Sequence, residues 1–327
     1  MRGIPPGGLV LALLAALVVG CGAPAPAASG RQPAGETAGG SGARAAPAQP
    51  AVEAAAPAAP RELKVGLVSR IFALMPLWVA AQAGYLAEEG LAIEEIYTSA
   101  STAAIAAQVS GTIDLTITSP GNAILTRQKG TNLLIVGGFL NPAMYNLIGQ
   151  RDLRTIDDVR GKRIGTAGTS TGDALLLREM LASRGMRERE DYTFLRIGGT
   201  PDRYQALVAG AIETVTLLDP FNYAALAEGY SDLGTAYTYV PDYVHNGTIV
   251  DGDWARQHEA TVVGFQKALL RGIRWMYEPA NADAAIRLAV ERTGVERKYA
   301  EAALAEHVRI TAWPRDGLVS ERGLEWV

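Results

Sequence analysis

Ser110-Gly111-Thr112-Ile113-Asp114-Leu115-Thr116-Ile117-Thr118-Ser119-Pro120 is followed, much later in the chain, by Ala209-Gly210-Ala211-Ile212-Glu213-Thr214-Val215-Thr216-Leu217-Leu218-Asp219-Pro220. Each stretch has a glycine stop after a helical pattern, an acidic residue, a short apolar strand, and a polar residue ahead of proline. The repeated punctuation predicts that one α/β unit is written twice. The blander reading is that any two helix-to-strand transitions look alike.

Upstream of the first copy, residues 63–68 form a short apolar run ending at Ser69 and Arg70, the pattern of a buried strand entering a loop. A helix with Leu77, Ala80, Ala81 and Leu86 on one face stops at Gly90, and strands are expected at 91–97, 114–118 and 133–137, with helices at 101–109 and from 120. After Ile148 the pattern restarts, with strands at 163–166, 192–196 and 214–218 and helices at 171–184 and 201–208. This alternation implies βαβ units and a mainly parallel sheet in each lobe. A further strand at 243–250, placed after a complete second lobe, predicts a return to the first lobe, and four helical stretches follow it. Two crossings make a hinge. The expected architecture is α/β, with one lobe from 63–145 plus 240–327 and the other from 146–239.

The chain has 327 residues and a formal net charge of -4. That length suits two lobes, since single cores stop growing near roughly 250–300 residues. The charge gives no electrostatic footprint for nucleic acid, which is excluded as a partner. Residues 9–19 are an apolar run too short to span a bilayer and fit a signal-peptide core. Val18-Val19-Gly20-Cys21 then resembles a bacterial lipobox, and Cys21 is the sole cysteine of the chain, so 1–21 is expected to be a lipoprotein signal acylated at Cys21. Residues 22–62 are rich in Ala, Pro and Gly and are expected to form a disordered tether. At the other end Ser320 is an expected N-cap for a helix beginning at Glu321, where the family described next continues with a further segment.

Four segments carry a resemblance: 75–91, 109–120, 156–165 and 206–213. Together they resemble the periplasmic solute-binding proteins of nitrate, sulfonate, taurine and thiamine-precursor importers. The resemblance implies a type II periplasmic-binding fold, a cleft that closes on a small organic anion or a planar heteroaromatic of the sulfonate, nitrate, carboxylate or pyrimidine class, and delivery to ABC permease subunits. It implies no cofactor and no catalysis. It also implies a monomer, exported and held at the outer face of the cytoplasmic membrane or in the periplasm. The alternatives are a sensor subunit handing the same ligand to a signalling partner, or an enzyme resembling the yeast-type pyrimidine synthases; the latter depend on an active-site histidine and a cysteine-rich motif.

In open α/β sheets, ligands sit beyond the carboxyl ends of strands, at helix N-termini. Ser69, Arg70, Ser99, Ser101, Ser119, Thr169, Ser170, Thr171 and Asp219 stand at such places, and Phe72, Trp78, Phe139, Tyr145 and Phe221 lie near strand ends or hinge segments where an aromatic could stack on a flat ligand. Each has a plainer alternative. Thr169 or Ser170 can cap the helix, Arg70 can be a rim arginine, Asp219 can cap a helix beginning at Pro220, and Trp78 can be core. The stretch 165–172 matches no nucleotide fingerprint, since its glycine spacing is wrong and no lysine follows. His245, His258 and His307 show no metal-binding spacing and read as scattered surface or helix positions.

Overall fold

The computed structural model describes residues 59–241 and 243–326. The expected signal, lipobox and most of the tether lie outside the described residues. The first lobe opens with β1 (Arg61–Leu67), α1 (Met75–Gln82), α2 (Tyr85–Glu88), β2 (Leu91–Tyr97), α3 (Ser101–Val109), β3 (Leu115–Thr118), α4 (Pro120–Arg127) and β4 (Leu133–Leu140). The chain then crosses and forms β5 (Asn146–Gly149), β6 (Lys162–Thr166), α5 (Gly172–Ala182), β7 (Tyr192–Arg196), α6 (Thr200–Val208), β8 (Thr214–Leu217), α7 (Phe221–Ala227) and β9 (Ser231–Thr235). It returns through α8 (Ala236–Tyr239) to β10 (Asn246–Asp251). It ends in α9 (Gly252–Gln257), α10 (Glu259–Met276), α11 (Ala282–Thr293), α12 (Arg297–Arg309) and α13 (Glu321–Trp326).

The strands fall into two five-stranded sheets, ordered β2-β1-β3-β10-β4 and β7-β6-β8-β5-β9. The two orders are equivalent. In each sheet the first three strands run parallel, and the fourth place is taken by the strand that has just crossed from the other lobe, antiparallel to both neighbours. The duplication is thus visible as topology. The matched glycines Gly111 and Gly210 end their helices at φ 76° and 67°, in the left-handed region where a side chain is disfavoured.

Several boundaries differ from expectation for local reasons. Arg61 and Glu62, placed in the tether, already pair with Leu91 and Ala92. The strands β5 and β9 have no counterpart in the sequence reading: one is four residues long, and the other is Ser-Asp-Leu-Gly-Thr, polar enough to read as a loop. Neither sheet is purely parallel, because both inserted strands run antiparallel.

The larger core joins the first sheet to α1, α10, α11 and α12. On α10 the buried residues Phe265, Leu269, Ile273 and Met276 recur at helical spacing, each worth about 1.5–3 kcal/mol on burial. Gly272 lets this helix reach α1, since a Cβ there would stand 2.2 Å from the Pro76 carbonyl oxygen. Trp78 is buried in this layer, with Nε1 3.4 Å from Glu95 Oε2. Ser320 caps α13, its Oγ accepting from Gly323 N at 3.2 Å. Among the described residues no helix is long and apolar enough to cross a membrane.

Candidate ligand-binding cleft

The carboxyl ends of β1 and β3 face those of β6 and β8 across a cleft. The lobes touch within it. Ser69 Oγ accepts from Thr200 N at 2.9 Å, and Arg196 Nη2 donates to Ser99 Oγ at 2.8 Å. Gly172, at the start of α5, lies so close to the first lobe that a Cβ would meet the Ser119 side chain at 2.8 Å. The space between the lobes forms an inner chamber of about 50 Å³ and an outer one of about 650 Å³, parted by the hydrogen bond of Ser69 to Thr200 N. Both share Val68 and Ser69.

The inner chamber collects the first turns of α3, α4, α5 and α6, through Ser101, Ser119, Thr171 with Gly172, and Thr200. Helix starts carry unpaired N–H groups and partial positive charge, so four together favour an acceptor-rich ligand. The hydroxyls agree in sign. Ser69 accepts from Thr200 N, Ser101 accepts from Asn122 Nδ2 at 2.8 Å, and Thr200 Oγ1 accepts from Arg203 Nη2 at 3.1 Å. Each therefore keeps its own O–H to donate. Ser119 and Tyr243 share a hydrogen bond of 3.0 Å between their hydroxyls.

Two formal charges line the inner chamber, and they oppose each other. Asp173 accepts from Ala167 N at 2.9 Å, from Thr216 Oγ1 at 3.1 Å and from Thr171 Oγ1. Arg203 donates to the carbonyls of Thr216 and Gly198 at 2.6 and 2.5 Å, and its Nη1 stands 3.7 Å from Asp173. Both are buried, so the hydrogen bonds are what make these charges tolerable. Burial pushes the Tyr145 hydroxyl far up, with the Asp173 charge adding to it. Burial likewise lifts Tyr243 to about 12 and pulls His245 down to about 4, so at neutral pH all three are uncharged. His245 stacks on Tyr145 with ring centroids 4.6 Å apart.

The sequence-derived candidates separate into groups. Ser69, Ser101, Ser119 and Thr171 come together at the inner chamber, and Arg70 and Ser99 line the outer one. Thr169 and Ser170 are exposed and line neither, because the turn directs Thr171 inward instead. Neither caps α5 with its side chain. Phe139 is sealed in the first core, and Phe72 packs with His307 and Trp313 at 5.1 and 6.1 Å. Asp219 is buried outside both chambers and does not cap α7, whose first residue is Phe221 rather than Pro220. Its carboxylate turns toward His307, 3.0 Å from Nδ1. That nitrogen also lies 3.0 Å from the Ala303 carbonyl, and both carboxylate oxygens lack a directed hydrogen bond.

Tyr145, one of the aromatics singled out in the sequence, lines the inner chamber, whereas sequence reasoning missed Asp173, Arg203 and His245 there. The charged pair sits inside α5 and α6, and His245 on a crossing, where only the fold brings it to the site. His245 is also corrected: it is buried on a crossing segment rather than on a surface or helix, whereas His307 lies on a helix as read, with its side chain buried. Among the described residues no cluster of His, Cys, Asp and Glu could hold a metal ion.

The model of the family described as NMT1/THI5 like matches residues 72–282, most of the chain and both sheets. The chain belongs to the NMT1/THI5-like family. A curated relative, the formylaminopyrimidine-binding protein of Halalkalibacterium halodurans, is 25% identical over 221 residues, covering 65% of this chain. The chain spans 64% of that relative's length. The alkanesulfonate-binding protein SsuA from Xanthomonas axonopodis pv. citri, solved bound to MOPS, superposes with a TM-score of 0.66 at 21% identity, covering 76% of this chain and 84% of that one. The periplasmic nitrate-binding protein NrtA from Synechocystis gives 0.64 at 16% identity, covering 73% and 69%. At these identities the structures share the fold of this family member, two α/β lobes of the type II periplasmic-binding class joined by two crossings.

Proposed function

We propose that this protein is the extracytoplasmic solute-binding subunit of an ABC importer, a monomer held at the membrane by a lipid on Cys21. In this reading the lobes, 63–145 plus 240–327 and 146–239, close on a small molecule and present it to permease subunits without chemical change. One observation carries it: four helix starts and the hydroxyl protons of Ser69, Ser101 and Thr200 converge on a buried chamber whose two charges cancel. Donors arranged in this way, with no activated base beside them, bind acceptors and hold them. Of the two ligand classes that the sequence suggests, an organic anion and a neutral heteroaromatic, this donor excess favours the anion. The relatives' sulfonate, nitrate and formylaminopyrimidine ligands make those three chemistries the first to try.

Calorimetry on the purified protein with methanesulfonate, nitrate, acetate and an uncharged aminopyrimidine tests the reading. At least one anion is expected to bind with micromolar affinity, about -8 kcal/mol, and to be recovered unchanged. Conversion of the bound molecule, or binding of the pyrimidine alone, would overturn the non-catalytic or the anionic part respectively.

A further inference from the structure

An inner chamber of about 50 Å³ holds roughly three to five water-sized groups. That is the volume of a headgroup. The rest of any larger ligand must lie elsewhere, and the outer chamber of about 650 Å³ has the size of an ordinary ligand pocket. The two meet at Ser69, parted by its hydrogen bond to Thr200 N.

The charges of the outer chamber are unevenly engaged. On the first-lobe side Arg292 pairs with Glu95 at 3.3 Å and Glu296 with Lys298 at 3.0 Å. Arg70 is different. Its guanidinium lies over the Tyr97 ring at 4.0 Å, and among the described residues it gives no hydrogen bond to any protein acceptor. An arginine so placed keeps its fork free for a carboxylate. On the second-lobe side stand two carboxylates without a cationic partner among the described residues: Asp202, which accepts from Gly199 N at 3.0 Å, and Glu228, which accepts from Tyr204 OH. Each retains acceptor positions. Nearby cations are engaged otherwise, Arg151 on the Glu228 carbonyl and Arg196 on Ser99. The chamber therefore has a cation on one wall, carboxylates on the other, and tyrosine rings between them.

We propose that the outer chamber binds the dipolar tail of the ligand, an amino-acid-like group whose carboxylate meets Arg70 and whose ammonium meets Glu228 and Asp202. This rests on the reading of the inner chamber as the seat of an anionic head. The ligand class is then an acidic amino acid whose side chain ends in a compact oxyanion.

Three sulfonates of matched head separate the parts: 1-propanesulfonate with no tail charge, 4-sulfobutanoate with the carboxylate, and homocysteate with carboxylate and ammonium. Calorimetry on the wild-type protein is expected to show affinity rising about tenfold at each step, the scale of one charge-assisted hydrogen bond. Arg70→Met should erase the step from propanesulfonate to sulfobutanoate, and Glu228→Gln the step to homocysteate. Both variants should leave propanesulfonate binding as it was. Equal affinities for the three compounds, or steps that survive both substitutions, would refute the tail site while leaving the head site standing. No binding by any of them overturns the anionic head and the tail together.

Discussion

At the carboxyl end of the third strand of each sheet the chain makes the same move, an apolar strand followed by a polar residue and proline. Ser119-Pro120 starts α4, and Asp219-Pro220 precedes α7. Each end has a buried histidine nearby, stacked at 28° on an aromatic ring: His245 on Tyr145 and His307 on Trp313. Yet Ser119 lines the inner chamber, where the lobes meet, while Asp219 is sealed among Phe72, His307 and Trp313. What differs is the covering. Gly172 of the opposite lobe and Tyr243 of the return crossing lie against the first end, whereas α12 and the segment after β1, both from the opposite lobe, pack aromatic rings over the second.

The sealed end should behave as core. Trp313 is fully buried, and its Nε1 donates to the Ala73 carbonyl at 2.9 Å. Trp313→Ala should cost about 3–5 kcal/mol in urea denaturation; a loss below about 1 kcal/mol would place this end outside the core.

His245 sharpens the contrast through pH. A base whose folded pKa is lowered leaves the unfolded chain holding more protons between the two values. Stability is then full above the unfolded value near 6.5 and falls as pH drops toward about 4. The loss attributable to this residue over that window is roughly 3 kcal/mol. Denaturation curves at pH 7 and pH 4.5 should lie closer together for His245→Gln than for the wild type, and an unaltered gap would show that this histidine is not held neutral.

Gly172→Ala probes the unsealed end directly. Its new Cβ would overlap Ser119 across the cleft, and overpacking of that kind costs about 1–3 kcal/mol. Because the overlap exists only when the lobes are closed, the cost should appear as weaker methanesulfonate affinity with a nearly unchanged melting temperature. The reverse pattern would mean that the two surfaces do not separate. Smallest of all, Ser119→Ala removes one hydroxyl partner of Tyr243 and should weaken binding by about 0.5–1.5 kcal/mol.

The lobes and their duplication were legible because strand and helix periods alternate and because glycine and proline punctuate the repeats at matched places. Ser69, Ser101 and Ser119 were legible for the same reason: strand ends are where loops, and hence ligands, meet the sheet. The strand β9 was not, since Ser231 to Thr235 owes its pairing to β5 rather than to any propensity of its own. Arg203 was hidden too. Beside Asp202 and Gln205 it has the look of a solvated helix face, and only the fold shows that it is buried, with carbonyl acceptors at Gly198 and Thr216.

The inserted strands also impose an order in time on a chain made from its N-terminus. The second sheet is written without interruption from Asn146 to Thr235, whereas the first waits for β10, which reaches Asp251. Until that strand arrives, β3 presents a bare apolar edge and β4 has no neighbour at all. The part of the protein synthesised first is therefore the last to be completed. Through that interval an unpaired, aggregation-prone strand edge depends on speed or on a chaperone for its protection.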